Sequence, residues 1–233
     1  MISLKHISKT YGSKENSVEA LKDVSIDIED GIFVVITGKS GSGKSTLMNI
    51  IGALDKPTSG SVIVDNQDIS LFSDNELSRY RNKNIGFVFQ SFYLEPAFSV
   101  LENVCMPLTI AGELSKKERE ERAIELLKKL GLEDKINKKA NELSGGQKQR
   151  ASIARALISN PSLILADEPT GNLDSQNGLE VMKILRGLVD EGKTVILVTH
   201  NLEDAKNGDL LINIKDGEIV SIVNNKKEET ASL

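Results

Sequence analysis

The sequence lacks several features that would each indicate a class of protein. It has no tryptophan, a single cysteine and no apolar stretch near the ~20 residues that a membrane-spanning helix needs. Because Cys105 is alone, no internal disulfide can form, and its apolar neighbours predict a core or interface residue rather than a nucleophile. The net charge of −5 argues against non-specific binding to nucleic acid. The polar first residues do not resemble a signal peptide, so we expect a cytoplasmic protein unless a partner holds it at a membrane.

The residues that are present predict an α/β fold. The length of 233 residues allows one large domain with a sizeable core. Apolar and polar residues alternate from Ile2 to Thr10 and from Ala20 to Ile28, which predicts two partly exposed antiparallel strands. Four apolar runs predict buried strands: Ile32 to Ile36, Ile85 to Phe89, Leu163 to Ala166 and Thr194 to Val198. Helical patterns lie between these runs, and such alternation is typical of a parallel sheet.

Residues 91–160 interrupt the alternation with helices. Three serines there are placed to cap helix starts, Ser99, Ser115 and Ser144, and the first two have a glutamate three residues later, the spacing of a capping box. We therefore expect a single domain over residues 1–233: a core over 1–90 and 161–224 that includes an antiparallel β subdomain, a helical subdomain over 91–160 and a polar tail over 225–233.

A glycine-rich loop joins the buried strand ending at Ile36 to a helical pattern that begins at Lys44. Its glycines allow N–H groups to point at phosphate oxygens, and the positive end of the helix faces the same anion. Lys44 supplies charge for the β- and γ-phosphates, and the Ser45 hydroxyl is placed to ligate Mg²⁺. Lys39 adds favourable charge or points to solvent. The predicted ATP-binding residues of this loop are Gly38, Lys39, Ser40, Gly41, Ser42, Gly43, Lys44, Ser45 and Thr46. A purely structural turn is the alternative, and it would need neither Lys44 nor Ser45.

Two adjacent acids, Asp167 and Glu168, end the strand that begins at Leu163. The carboxyl ends of parallel strands share one edge of a sheet, so both acids are expected to face the triphosphate. Asp167 is suited to hold Mg²⁺, and Glu168 to polarise an attacking water as general base. A strand-ending turn before Pro169 is the alternative.

The segment Leu143-Ser144-Gly145-Gly146-Gln147 resembles the signature of ATP-binding cassette (ABC) ATPases. Together with the glycine loop and the acidic strand, the resemblance runs from Tyr11 to His200. It implies a P-loop NTPase (RecA-like) core that binds ATP and Mg²⁺. It also implies that Ser144 and Gly146, with Gly145 and Gln147 beside them, contact the γ-phosphate held by a second copy. Without the family, this segment is a helix start that could bind an anion, or simply a glycine-rich cap.

The resemblance assigns four further positions. Tyr11 is similar to the aromatic residue that stacks on adenine, with a hydrophobic turn anchor as the alternative. Gln90 resembles the glutamine that ligates Mg²⁺ and reports to the transmembrane partner. Asp174 matches the loop that crosses the dimer interface. His200 resembles the switch histidine that contacts the γ-phosphate, and we place it with Lys44 and Glu168 among the catalytic residues.

Several stretches are most similar to the lipoprotein-release and macrolide-export branch of the family. They include Asp55 to Gly60, Ile85 to Gln90 and Ala166 to Ser175. The branch implies an ATPase that works as a homodimer beneath integral membrane permease subunits, at the cytoplasmic face of the membrane, with no nucleic acid partner. Cell-division and antimicrobial-peptide ATPases are similar in several of these stretches.

Two other functions are alternatives to this one. A soluble ABC ATPase acting on DNA ends or ribosomes would be expected to carry long heptad segments or a second cassette, and the sequence has neither. A small-molecule P-loop kinase would leave the signature segment unexplained. The mixed aromatic and apolar residues from Ser91 to Val100 are expected either to form part of a groove for the permease or to belong to the helical core.

Overall fold

The structure is a computed structural model that describes residues 1–13 and 16–225, and these form two units. Unit 1 comprises Met1–Ser78 and the segment from Arg186 onwards, and unit 2 comprises Arg79–Leu185. The strands are β1 (Ile2–Tyr11), β2 (Val18–Ile28), β3 (Phe33–Thr37), β4 (Ser59–Val64), β5 (Gln67–Asp68), β6 (Ile85–Phe89), β7 (Leu163–Asp167), β8 (Thr194–Val198), β9 (Leu210–Lys215) and β10 (Glu218–Asn224). The α-helices are α1 (Lys44–Ile51), α2 (Asp74–Asn84), α3 (Val100–Ala111), α4 (Lys116–Lys129), α5 (Gly145–Leu157), α6 (Ser175–Asp190) and α7 (Leu202–Ala205).

Unit 1 contains an antiparallel sheet with the strand order β2-β1-β4-β5. The predicted antiparallel pairing of the first two strands is confirmed, with Ile2 opposite Ile28. The strand β4 begins at Ser59, and its next residue, Gly60, has a φ of 93° and packs against the β1 backbone at Lys5 and His6. The two-residue strand β5 was not predicted, since so short a polar segment shows no periodicity.

The second set of strands in unit 1 has the order β10-β9-β3-β8. β3 pairs parallel with both β8 and β9, and the apolar runs predict parallel strands for β3 and β8. Phe33 and Ile36 of β3 are completely buried. β9 and β10 form a hairpin, whose turn residues Asp216 and Gly217 both have positive φ.

Unit 2 combines the parallel strands β6 and β7 with the helices that the sequence predicts between 91 and 160. Its helical core is built from fully buried residues of α3, α4 and α5, among them Val104, Leu127 and Ala154. Cys105 is buried at the edge of this core, which confirms its prediction as a packing residue. Burial, with the nearby Glu120 carboxylate, raises the pKa of its thiol and keeps it protonated.

The local predictions for these helices are confirmed. Ser99, Ser115 and Ser144 all cap helix starts through reciprocal capping boxes. The α/β fold class, with its parallel strands, antiparallel sheet and helical insert, is the one expected. Residues 226–233 of the predicted polar tail lie outside the described residues. Within the part of the chain described, no helix combines the length and the apolar character required to span a membrane.

Candidate nucleotide site

The glycine loop in unit 1 runs from the end of β3 to the start of α1. Gly38, Gly41 and Gly43 have φ angles of 152°, 77° and 105°, which confirms that the loop uses backbone conformations reserved for glycine. At Gly43 a side chain is excluded by space as well, because a Cβ would lie 2.5 Å from the carbonyl oxygen of Ala20. The chain therefore reaches α1 along a path that only glycine allows.

The start of α1 carries no cap from a side chain. Its N-cap residue is Gly43, and no described side chain hydrogen-bonds to the first N–H groups of this helix. Such N–H groups need a partner, and together with the helix dipole they favour an anion. This is the arrangement expected of a phosphate site.

The side chain of Lys44 folds back over the same loop. Its Nζ donates to the carbonyl oxygens of Gly38, at 2.9 Å, and Lys39, at 3.0 Å. Ser45 is exposed at the first turn of α1, so its hydroxyl is accessible to a ligand. The loop thus presents one ammonium group, one hydroxyl group and several backbone donors at the same helix end.

Unit 1 also holds Tyr11 and His200. Tyr11 ends β1 and is 41% exposed, and its hydroxyl donates to Asp55 at 2.7 Å. Partial burial raises the pKa of Tyr11, and the bond to Asp55 raises it further, so the phenol stays protonated. His200 is exposed just after β8, and the N–H of Thr199 donates to Ile36 at the end of β3. His200 and the glycine loop therefore lie at the same edge of this sheet.

Unit 2 brings Gln90, Asp167 and Glu168 together. They follow or end the parallel neighbours β6 and β7, where Phe89 lies beside Asp167 in register. The Gln90 side-chain amide donates to Asn172 Oδ1 at 3.2 Å, and the Asn172 amide donates to the Gln90 carbonyl oxygen at 3.0 Å. Asn172 was not predicted to have a role, and it orients Gln90 so that the amide oxygen is the atom left for a ligand.

Glu168 has an unusual backbone conformation. Its φ is 45°, in the left-handed region that costs a residue with a side chain about 1 kcal/mol. The chain turns sharply there, and Gly171 returns an N–H to the Glu168 carbonyl oxygen at 3.1 Å. A strained carboxylate at the end of a buried strand fits a functional residue better than a simple turn, which would place glycine at such a φ.

The signature segment forms the start of α5. Ser144 Oγ accepts from the Gln147 N–H at 3.4 Å, and the Gln147 side chain accepts from the Ser144 N–H at 3.0 Å. Gly146 is buried against the side chain of Asn177, and a Cβ at Gly146 would collide with it. Asn177 in turn donates to Asp174 through its N–H, at 2.9 Å, and through its side-chain amide. One residue absent from the predictions thus connects the signature segment to the predicted interface loop.

A partly buried arginine, Arg155, supports the loop that follows Gln90. Phe92 and Tyr93 have φ angles of 60° and 48°, and both of their carbonyl oxygens accept hydrogen bonds from the Arg155 guanidinium of α5. Burial lowers the pKa of Arg155. The sequence carried no signal for this contact, because it joins residues more than 60 positions apart.

The donors predicted for Mg²⁺ suit that ion. Ser45, Gln90 and Asp167 offer hydroxyl, amide and carboxylate oxygens, which are the ligand types that Mg²⁺ prefers. Within residues 1–13 and 16–225, no group of three or more His, Cys, Asp or Glu side chains is arranged to hold a metal ion.

Comparison with known proteins identifies the family. The family described as "ABC transporter" matches residues 21–171. The uncharacterized ABC transporter ATP-binding protein MJ0796 of Methanocaldococcus jannaschii is 52% identical over 223 residues, which cover 94% of this chain and 95% of the relative. The macrolide export ATP-binding/permease protein MacB of Mannheimia succiniciproducens is 51% identical over 94% of this chain, which matches 34% of that longer protein. This second relative confirms the predicted likeness to macrolide exporters.

A solved structure agrees with the computed one. The dimeric post-hydrolysis structure of the MJ0796 cassette bound to ADP and Pi superposes with a TM-score of 0.89 at 48% identity, covering 97% of this chain and 99% of that one. The chain therefore belongs to the ABC transporter family as a nucleotide-binding ATPase subunit.

Proposed function

We propose that two copies of this ATPase close on two molecules of Mg-ATP. Each nucleotide is held between the glycine loop of one copy and the signature segment of the other. The observation that carries this proposal is the start of α1, where the N-cap residue is Gly43 and the first N–H groups are available to a phosphate. The dimeric state of the MJ0796 cassette supports it.

Within each site, the residues have distinct roles. The N–H groups from Gly38 to Thr46 and the Lys44 ammonium hold the β- and γ-phosphates, and the exposed Tyr11 ring stacks on adenine. Ser45, Gln90 and Asp167 hold Mg²⁺, which neutralises charge on the β- and γ-phosphates when it is bound.

Glu168 accepts a proton from the attacking water as the oxygen of that water bonds to the γ-phosphorus. The bond to the β-phosphate oxygen breaks, and ADP and phosphate are the products. His200, and Ser144 with Gly145, Gly146 and Gln147 from the second copy, donate hydrogen bonds to the γ-phosphate, and Asp174 lies at the interface between the copies. Positioning and charge stabilisation provide most of the rate, because phosphoryl transfer needs little covalent chemistry from the protein.

The membrane partner is proposed to be a permease whose cytoplasmic segment docks on unit 2. A cavity of about 240 Å³ lies between α3 and α4, with an apolar lining that includes Phe98, Leu101, Met106 and Ile110. Phe98 and Ile110 are 43% and 74% exposed, and Tyr93, in the segment from Ser91 to Val100, is 66% exposed. Several exposed apolar residues in one region of the surface are typical of an interaction surface.

The relative MacB is named as an ATP-binding/permease protein, and this chain matches 34% of its length. By that likeness, we infer that the membrane partner is a permease of the export type. It would hold this subunit at the cytoplasmic face of the membrane, with nucleic acid playing no part. We retain the predicted subdivision into a core over 1–90 and 161–224 and a helical subdomain over 91–160 as part of this proposal.

The variant Glu168→Gln tests closure of the dimer. It is expected to slow turnover by roughly 10²–10⁴-fold, the usual contribution of a general base, while ATP binding persists. Size-exclusion chromatography with ATP should then show a dimer that persists, whereas Glu125→Gln, at an exposed position of α4, should behave as the wild type. A Glu168→Gln protein that binds ATP and remains monomeric would contradict the proposal. Co-purification from membranes with an integral membrane protein tests the permease.

A further inference from the structure

The segment that follows α1 has no role in the proposed function, although it is one of the stretches that resemble the lipoprotein-release and macrolide-export branch. It runs from Asp55 to Gly60 and lies against the last residues of β1. Beyond Ser8, β1 loses its pairing with β4. Hydrogen bonds to the segment replace this pairing. The Thr58 N–H donates to Ser8 O at 2.8 Å, and the Thr10 N–H donates to Thr58 Oγ1 at 3.0 Å.

Asp55 is the centre of these contacts. One carboxylate oxygen accepts from Lys9 Nζ at 2.6 Å, and the other accepts from the Tyr11 hydroxyl at 2.7 Å. Lys9 Nζ also donates to the carbonyl oxygen of Lys56 at 2.7 Å. The Lys9 side chain is only 13% exposed and that of Asp55 only 29%, so water competes weakly for this ion pair.

The ring of Tyr11 is held from two directions. Its hydroxyl is fixed by Asp55, and the Lys9 ammonium lies 4.9 Å from the ring centroid, within the range of a cation–π contact. The residue nevertheless remains 41% exposed. An aromatic ring that is fixed at its polar end and exposed on its surface is suited to stack on a planar ligand.

The same contacts connect the ring to the phosphate site. The N–H of Asp55 donates to the carbonyl oxygen of Asn49, in the last turns of α1, at 3.2 Å. The start of that helix is the phosphate loop, and α1 is about 12 Å long at ~1.5 Å per residue. The short helix α1 therefore carries the phosphate loop at its start. Near its end, through Asp55, it also fixes the position of the Tyr11 ring.

We propose that Asp55 and Lys9 are positioning residues that hold the Tyr11 ring as a preformed platform for the purine base of the nucleotide. The inference rests on the proposed stacking role of Tyr11 and adds the residues that fix its geometry. Preorganisation of this kind strengthens binding because the ring loses little freedom when the base arrives. Asp55 touches neither base nor phosphate in this scheme.

The test compares a ligand that carries a purine base with one that consists of phosphates alone. ADP and inorganic pyrophosphate are titrated calorimetrically into the full chain, and neither ligand is hydrolysed by an ATPase. Tyr11→Ala is expected to weaken ADP binding about tenfold, the order of magnitude for one stacked base. Asp55→Asn, Lys9→Met and Tyr11→Phe should each weaken it roughly threefold, as expected for a lost hydrogen bond or cation–π contact. Pyrophosphate affinity should not change in any of them.

A double variant and a matched control complete the design. Asp55→Asn combined with Tyr11→Phe should weaken ADP binding by less than the product of the two single effects, because both substitutions act on the hydrogen bond between Tyr11 and Asp55. Asp23→Asn makes the same chemical change at an exposed carboxylate that pairs with His6, and it should leave both ligands unaffected.

Three results would overturn the inference. If Asp55→Asn binds ADP as the wild type does, Asp55 does not position the ring. If it weakens ADP and pyrophosphate equally, Asp55 supports the phosphate loop or the fold. If Tyr11→Ala leaves ADP binding unchanged, the stacking role itself is wrong, and the platform fails with it. Only that third result also removes part of the proposed function.

Discussion

Two helix starts in this protein use opposite solutions to the same problem. The first N–H groups of any α-helix need hydrogen-bond partners. At α5 a capping box supplies them, with Ser144 and Gln147 bonded to each other's N–H groups. At α1 the cap residue is Gly43, and none of the described side chains supplies a bond. The two starts are also the two segments that a nucleotide is proposed to join.

The difference indicates which half of the site can act alone. The start of α1 has available N–H donors, a glycine-rich loop and the Lys44 ammonium, so it can bind a phosphate group in a single copy. The capping box at the start of α5 satisfies the N–H groups of Ser144 and Gln147, so this helix start is stable without a ligand. We infer that α5 gains a phosphate contact only when another copy presents one, which makes nucleotide binding and dimer formation one coupled event.

The variant with the largest expected effect removes the charge at the open helix start. Lys44→Ala should weaken ATP binding or slow hydrolysis by ~10²–10³-fold, because the ammonium is the main side-chain charge facing the phosphates. Steady-state ATPase assays and ATP titration measure this. Lys117→Ala, which removes an exposed lysine of α4, is the control and should not change either. Full ATPase activity in Lys44→Ala would show that the start of α1 does not hold the phosphates of ATP.

The variant with the intermediate expected effect removes the capping side chain at the start of α5. Ser144→Ala should cost about 1 kcal/mol of stability through the lost cap and should slow hydrolysis about tenfold or more, while a single copy still binds nucleotide. Ser115→Ala removes the same kind of capping box from α4. It should show a similar fall in melting temperature with normal turnover. Equal turnover in the two variants would mean that Ser144 is only a cap.

The smallest expected effect concerns the cap of α6. Hydrogen bonds from the N–H and side chain of Asn177 hold the pKa of Asp174 below its ordinary value. A carboxylate with a lowered folded-state pKa stabilises the fold above its unfolded pKa, about 3.9, and this contribution is lost as the pH falls through the folded value. Asparagine caps equally well and does not titrate.

Asp174→Asn should therefore melt like the wild type at neutral pH and lose less stability on acidification below about pH 4. Thermal unfolding at both pH values is the measurement, and Glu125→Gln controls for the loss of an exposed carboxylate that caps nothing. A wild-type acid dependence in Asp174→Asn would show that the cap does not contribute to it.

Local chemistry made part of this structure predictable. The capped starts of α3 and α4 could be predicted from a serine and a glutamate three residues later, because both members of a capping box lie in one turn. The cap of α5 could be predicted from Ser144 alone. The glycine loop was equally local. The strands β3, β6 and β8 followed from apolar runs, since buried parallel strands carry no polar positions.

Contacts between distant residues were not predictable. Gln90 and Asn172 are 82 positions apart, and Tyr11 and Asp55 are 44 apart. Neither pair has a local pattern, because its partners meet only after the chain has folded. The positive φ of Glu168 was missed for a related reason: surrounding structure imposes it against the preference of the residue. The residues that orient the predicted site therefore emerged only from the structure.

The most direct test mixes two variants of reduced activity, Lys44→Ala and Ser144→Ala. If each site joins the α1 start of one copy to the α5 start of the other, a mixed dimer contains one intact site and one doubly altered site. With random pairing about half of the dimers are mixed, so the account predicts recovery of up to about a quarter of wild-type ATPase activity. Activity no higher than the average of the two variants would contradict it, because a site contained within one chain cannot be restored by mixing.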